Sequence, residues 1–337
     1  MNKKYVPILR WKRGEQQALA HLTENVKSKT LPLLEFPYNT DLTKIKTSIE
    51  ACWKDMPFLF YYPPTWYEEG DSDFPESYTN IITDYVVPLV NDTLGIPVID
   101  LSLAEHTDWG KINRNGIAIR VRNNEFGEID NILGPLFSNK HLKREETDLI
   151  LDLQHVTADD LFAKSSVLKA AFTDIVDANE YRSIIIASCS FPKALSALEY
   201  GKINKFHRTE SEIYELSKKL KEKFDFNYFY ADYGPTDLSD TIFVVGMMPN
   251  FKIKYTTFDD YLYIKGLSIK KGGLDIDNVR LLSQTLVESN NYSGSDFSWG
   301  DEMIYKIASG VSTSPGNLGT WVGYSMNHHI SLMTELI

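Results

Sequence analysis

The chain has only two cysteines among its 337 residues, Cys52 and Cys189. A pair so far apart supports neither a disulfide framework nor a cysteine metal cluster, and such sparing use of thiols points to a reducing, cytoplasmic setting. Long apolar runs are missing as well. No stretch approaches the roughly 18 apolar residues that a membrane-spanning helix needs, and Met1 to Arg10 carries no apolar signal core behind its lysines, so neither membrane insertion nor secretion is expected. Basic charge is in deficit. With 35 lysines and arginines against 46 aspartates and glutamates, the net charge is -11, which argues against non-specific nucleic-acid coating and leaves room only for a local basic pocket. No GxGxxG or GxxxxGK[ST] follows an apolar run, and no GxSxG elbow occurs. The common phosphate cradles and the serine elbow are therefore excluded.

What the chain does have is core. Hydrophobic residues make up 43% and charged residues 24%, the balance of a globular protein. Short runs rich in valine, isoleucine and aromatics recur every 25 to 40 residues or so, with helical periodicity between them. They predict strands at Tyr5 to Leu9, Leu31 to Phe36, Phe58 to Tyr62, Ile96 to Leu101, Gly116 to Arg120, Leu149 to Leu153, Ser183 to Ala187 and Tyr228 to Ala231. Helices are expected at Asp41 to Lys54, Ser77 to Asn91, Glu128 to Phe137, Ser165 to Ala178 and Thr209 to Phe224. Eight such alternations in about 250 residues fit a closed (β/α)8 TIM-like barrel, with an open doubly wound sheet as the rival.

After residue 240 the rhythm changes. Thr241 to Met247, Lys252 to Thr256 and Tyr261 to Lys265 read as β-segments joined by turns, and Asp277 to Ser289 and Gly300 to Ser309 as helices. The expected organisation is a barrel over 1–240 and a C-terminal β-hairpin and helical cap over 241–337, packed on the barrel.

In such a barrel the loops at the carboxyl ends of the strands build the active site. The polar residues at those ends are Arg10 and Lys12, Glu35, Asp100, Arg120 and Arg122, Asp152 and Gln154, Ser188 and Ser190, and Asp232 with Tyr233. Taken singly, Asp100, Arg122 and Gln154 read as rim residues or helix caps. Glu35, Asp152 and Asp232 interrupt apolar runs, where a bare carboxylate would cost several kcal/mol and must be paired or ligated. With Lys12, Arg120 and Lys265 as counterions, one reading is a salt-bridged barrel mouth. The other is a polar pocket for a phosphate-bearing ligand, in which Glu35, Asp152 and Asp232 hold a divalent cation such as magnesium. None of these carboxylates has the tight spacing of a metal motif. His328 and His329 lie in an aromatic-rich tail; if that tail is extended and crosses the mouth, one of them reaches the site as general acid or base.

The blocks Tyr5-Val6-Pro7-Ile8-Leu9-Arg10-Trp11-Lys12-Arg13-Gly14-Glu15, Pro32 to Glu35, Gly116 to Arg120, Ala231-Asp232-Tyr233-Gly234, Lys254-Tyr255-Thr256-Thr257, Phe297 to Asp301 and Trp321 to His329 resemble the "beta protein" family of phage, prophage and bacterial genomes. The chain departs from that pattern at Val322, where the family has arginine, and at Tyr230-Ala231, where it has phenylalanine-glycine. The resemblance implies a shared architecture and singles out Lys12, Glu15, Arg120, Asp232, Lys265, Asp301 and His329, without implying a reaction. Its genomic company implies mobile-element or phage-defence biology.

Two functions are expected from these readings. The first is hydrolysis of a phosphate-containing small molecule or nucleotide, with Glu35, Asp152, Asp232, His328 and His329 in catalytic roles and Lys12, Arg120, Lys265, Tyr233 and Tyr255 around the ligand. The second is a noncatalytic ligand sensor or assembly subunit of an anti-phage module, bound to a protein partner.

Overall fold

Eight of the apolar runs are parallel strands that close on themselves. The computed structural model describes residues 5–38, 40–64, 76–139, 141–193, 195, 197–238 and 249–337. In it β1 (Tyr5–Arg10), β2 (Leu33–Glu35), β3 (Phe58–Tyr61), β4 (Gly95–Asp100), β5 (Ile117–Arg122), β6 (Thr147–His155), β7 (Ser183–Cys189) and β9 (Tyr228–Asp232) form a barrel in that order, β9 pairing back onto β1. The (β/α)8 fold class is thus the one observed, and the open sheet is excluded. No helix of the described residues is long and apolar enough to cross a membrane.

The chain divides into two compact units. The first holds the barrel and comprises the chain up to Trp11, Lys29–Cys189 and Thr209–Asp232. The second comprises Lys12–Ser28, Ser190–Arg208 and Tyr233–Ile337, so it draws on two earlier segments as well as the C-terminal region.

The barrel register fixes which side chains fill the lumen. Neighbours across a parallel ladder share a face, and alternate residues along a strand swap faces. Following the pairs around the ring, Val6, Ile8 and Arg10 share a face with Leu33 and Glu35, Leu59 and Tyr61, Ile96, Val98 and Asp100, and Ala118, Arg120 and Arg122. The same face continues through Asp148, Ile150 and Asp152, then Ser183, Ile185 and Ala187, then Phe229 and Ala231, and returns to Val6. This face is the lumen, because Arg120 on β5 bonds Glu35 on β2, three strands away, and strands about 4.8 Å apart leave only the interior for that contact. Its middle is aliphatic. At the amino ends, Arg182 holds Asp148 through two bonds of 2.9 and 2.6 Å, and the Ser183 hydroxyl adds a third at 2.7 Å.

Around the barrel the helices follow the expected pattern with local adjustments. Asp41 caps a 3-10 turn (Leu42–Lys44) that runs into the helix Ile45–Cys52. The segment expected as one helix from Ser77 is α-helical over Glu76–Ile81 and Val87–Asp92, with a π-helical turn at Ile82–Val86 between them. Pro88 supplies the reason, since it has no N–H to continue the i→i−4 ladder there.

The second unit is built on an antiparallel sheet of β10 (Asn250–Thr256), β11 (Asp260–Ser268) and β8 (Ile203–His207), in that order. The helices Ile276–Val287 and Trp299–Ala308 match expectation. The tail does not: Leu318–Leu336 is one helix, opened by a reciprocal cap between Asn317 and Thr320. Phe251, Leu282, Ile304, Trp321 and Tyr324 lie in this unit's core. Two glycines allow close helix approach, for a Cβ on Gly14 would meet the Gly319 carbonyl at 2.6 Å and one on Gly300 would meet the Tyr324 carbonyl oxygen. The β-segment expected at Thr241 to Met247 lies outside the described residues.

Candidate functional site

At the carboxyl end of the barrel, the lumen face carries seven polar residues over its last rows: Arg10, Glu35, Tyr61, Asp100, Arg120, Arg122 and Asp152. Each is there because a strand's inward alternation is carried one step past the aliphatic layers. Arg120 is the hub. Its Nε and Nη2 both donate to Asp152 Oδ2, at 3.0 and 2.7 Å, and its Nη1 donates to Glu35 Oε1 at 2.7 Å. The guanidinium carbon also lies 4.9 Å from the centre of the Tyr61 ring, a cation–π distance. Asp152 Oδ1 accepts from the Gln154 backbone N–H at 2.8 Å.

A second set runs beside the first. Arg122 donates from Nη1 to Asp100 Oδ1 at 2.8 Å and from Nη2 to the Tyr61 oxygen at 2.8 Å, while the Tyr61 hydroxyl donates to Asp100 Oδ2 at 2.6 Å. Burial pushes the Tyr61 phenol well above its ordinary range, and the Asp100 charge adds to that. It therefore stays protonated and serves as a donor. The outlets to solvent are unequal. Asp152 and Asp100 are closed off, whereas the Glu35 side chain is 16% exposed and that of Arg122 26%. Glu35 Oε2 takes no bond from the described residues, so a carboxylate oxygen and a guanidinium edge are what this lumen presents outward.

Three expected site residues thus converge: Glu35, Arg120 and Asp152. Asp232 does not join them. Its ladder partners are Pro7 and Ser188, on the face opposite to Ala231 and Val6, so it points into the layer between barrel and helices, where the Tyr5 hydroxyl donates to its Oδ1 at 2.7 Å. Tyr230, on the same face of β9, packs edge-on against Tyr214 of the helix Glu210–Phe224, which confirms the outward direction. The expected trio of carboxylates around one axis is therefore corrected to a pair.

The proposed magnesium site does not fit this arrangement. Asp232 faces away, and the Arg120 guanidinium stands between Glu35 and Asp152 where the ion would have to sit. Among the described residues, no group of three histidine, cysteine, aspartate or glutamate side chains is placed to hold a metal ion.

The remaining candidates belong to the second unit. Lys12 is exposed at the start of the helix Arg13–Ala20, Tyr233 is buried, and Lys265 Nζ donates to the Leu198 carbonyl at 3.0 Å. His328 and His329 are wholly buried within the tail helix, so the extended, alternating tail is also corrected. His328 is locked between two acceptors: Nε2 lies 2.7 Å from the Thr256 carbonyl and Nδ1 2.8 Å from Asp301 Oδ2. A carbonyl can only accept, so Nε2 carries hydrogen, and a second proton must lie on the line to Asp301. Asp301 further accepts from the hydroxyls of Tyr255 and Ser298, each at 2.6 Å, and Tyr255 stacks on His328 with centroids 3.8 Å apart. Burial raises the Tyr255 phenol, with the Asp301 charge adding to it. His329 Nδ1 meets the Thr256 hydroxyl at 2.9 Å. This is a satisfied buried polar network of the kind that specifies packing.

Sequence reasoning missed Tyr61 and Ser298. Tyr61 closes an apolar strand in register with Glu35, which only the ladder reveals. Ser298 had a legible signal, since Ser298-Trp299-Gly300-Asp301 is the Ser-x-x-acid pattern of a helix start.

A family model described as Beta protein matches residues 5–335, nearly the whole chain. No curated protein and no solved structure matches it.

Proposed function

The chain belongs to the Beta protein family, and from that premise and the geometry of its barrel mouth we propose that it binds and hydrolyses a phosphate-containing small molecule or nucleotide there. The observation that carries this reading is the pair of groups turned outward, Arg122 and Glu35, each held from behind by buried partners. Arg122 offers a guanidinium edge suited to a phosphoryl oxygen. Glu35, fixed through Oε1 by Arg120, has Oε2 to take the proton of an attacking water. Asp152 orients Arg120, and Tyr61 with Asp100 orients Arg122; these act through their neighbours and set direction without touching the ligand.

The test is phosphate release from a panel of nucleotides and sugar phosphates. Glu35→Gln should lower turnover by about 10²–10⁴ fold while binding persists, and Arg122→Gln should weaken binding. Turnover indifferent to both substitutions removes the proposal.

One observation favours a second reading, a noncatalytic sensor or assembly subunit. Arg10, Arg120 and Arg122 balance Glu35, Asp100 and Asp152 in charge, so the mouth is electrically neutral without a ligand. Binding with no turnover, together with a stoichiometric complex with the products of neighbouring genes, is the outcome that selects it.

A further inference from the structure

A change of phase in β6 brings one more titratable side chain to the barrel mouth. Asp152 pairs with Ala187, and the next pair along the ladder is His155 with Cys189, so β6 uses one residue more than β7 over the same rise. The extra residue is a bulge. Gln154 takes up the slack with φ 58, and its N–H is tied to Asp152 Oδ1 at 2.8 Å. The Val156 N–H donates to the Cys189 carbonyl at 2.7 Å, which resumes the ladder beyond the bulge. In a regular strand the lumen phase after Asp152 falls on position 154, and His155 would face the helices. With the bulge, His155 shares the phase of Cys189, Ala187 and Ile185, which is the lumen phase.

His155 therefore stands one lumen row beyond Asp152, nearer the opening, and it is half-buried where Asp152 is closed off. The rise of a strand puts its Cα about 7 Å from that of Asp152 and about 8 Å from that of Arg122, the ladder partner of Asp152 on β5. Side chains of that length on neighbouring strands can meet one group of phosphate size. Around the ring, β2 and β6 are four strands apart in a barrel of eight. Glu35 and His155 thus stand on opposite walls of the lumen, with Arg122 on the wall between them.

We propose that His155 is the general acid of the mouth, giving a proton to the oxygen that leaves phosphorus, and that the substrate is a phosphate monoester of an alcohol. This rests on the reading of the mouth as a phosphate-hydrolysing site. Displacement at phosphorus sets the attacking and leaving oxygens roughly in line, and opposite walls of the lumen supply a base on one side and an acid on the other. Imidazole is the side chain suited to giving and taking a proton near neutral pH. Water attacks phosphorus while Glu35 takes one of its protons; the bond from phosphorus to the alcohol oxygen breaks while that oxygen takes the imidazolium proton of His155. The products are the alcohol and inorganic phosphate, and exchange with solvent returns a proton from Glu35 to His155. An alkoxide leaves poorly and needs that proton, whereas the phosphate leaving from an anhydride does not.

The experiment measures phosphate release from glycerol phosphate, 4-nitrophenyl phosphate and adenosine triphosphate by the unaltered chain, His155→Asn and His155→Gln. The unaltered chain should hydrolyse the two esters with kcat/KM values within about a thousandfold of each other, because the donated proton offsets the poorer leaving group. Each variant should lose about 10²–10⁴ fold on glycerol phosphate and less than about tenfold on the nitrophenyl ester, whose leaving group departs unprotonated. Retained nitrophenyl turnover also shows that the variant is folded. An equal loss on both esters by a variant with native circular dichroism, no loss on either, or a wider gap between the esters in the unaltered chain overturns the inference while the mouth reading stands. Turnover of the anhydride alone does the same. Should both variants fail to fold, the ester ratio of the unaltered chain decides. If the unaltered chain hydrolyses none of the three probes, the inference and the mouth reading fall together.

Discussion

Replacing Arg120 by methionine tests the lumen network at its hub. The substitution keeps the length of the aliphatic stem and deletes three charge-assisted bonds, two to Asp152 and one to Glu35. Glu35 can recover hydration, because its side chain is partly exposed. Asp152 cannot, since its side chain has no exposure, and it is left as a buried carboxylate without its guanidinium. Breaking one side of such a pair costs about 3–5 kcal/mol. Adding Asp152→Asn removes the stranded charge, so the double variant should recover most of the loss and retain a deficit of about 1–2 kcal/mol for the remaining packing and hydrogen-bond mismatch. The assay is urea denaturation of the four members of the cycle, followed by fluorescence and circular dichroism. A loss below about 1 kcal/mol for Arg120→Met, or a double variant no more stable than the single one, would refute the claim that Asp152 depends on Arg120 inside the lumen.

The other predictions concern both units. His328→Ala takes from buried Asp301 its imidazole partner, leaving only the hydroxyl donors Tyr255 and Ser298, and opens a cavity beside Tyr255; it should destabilise the second unit by about 3 kcal/mol or more, read as earlier urea unfolding, and a change under about 1 kcal/mol would contradict the locked network. Gly300→Ala drives a methyl into the Tyr324 carbonyl and should cost about 1–3 kcal/mol or more in the same assay, whereas a neutral result would mean the two helices are not in such close approach. Stability should fall as pH rises above 10. Tyr61, Tyr62, Tyr78 and Tyr255 have folded pKa values raised by burial, so both states hold these protons below pH 10, and above it only the unfolded chain gains by releasing them. Tyrosinate absorbance near 295 nm should therefore rise in two phases, the second coincident with loss of the circular dichroism signal; a single smooth phase on a folded chain is the contrary result.

The barrel was legible because its strands are covered on both faces. Stretches such as Ile96 to Ile99 and Ile184 to Ala187 are apolar throughout and stand out without any alternation. The same property hid the direction of each side chain. When both faces are apolar the sequence does not reveal which phase is inward, so Asp232 read like Asp152 although one turns to the helix layer and the other to the lumen. The strand Ile203–His207 escaped notice because Ile-Asn-Lys-Phe-His is half polar, as suits an edge position in a three-stranded sheet. The tail helix escaped for the opposite reason. Ser325, Asn327, His328 and His329 look like surface or site residues, yet each is buried and bonded: Asn327 Nδ2 donates to the Ala18 carbonyl at 2.9 Å and its Oδ1 accepts from the Gly300 N–H at 3.0 Å. Polar groups that pair across hundreds of residues leave no periodic trace. Within the mouth, Glu35 and Asp152 were legible as carboxylates interrupting apolar runs and Arg120 as a strand-end counterion; their mutual bonding was not, because it depends on barrel closure.

The most direct measurement is a crystal structure grown with a non-hydrolysable nucleotide analogue. The account predicts electron density for a phosphate within hydrogen-bond reach of the Arg122 guanidinium, with a water on Glu35 Oε2 and the Arg120 bridge between Glu35 and Asp152 intact. Density for the analogue elsewhere on the chain, with the carboxyl end of the lumen holding only solvent, would contradict it.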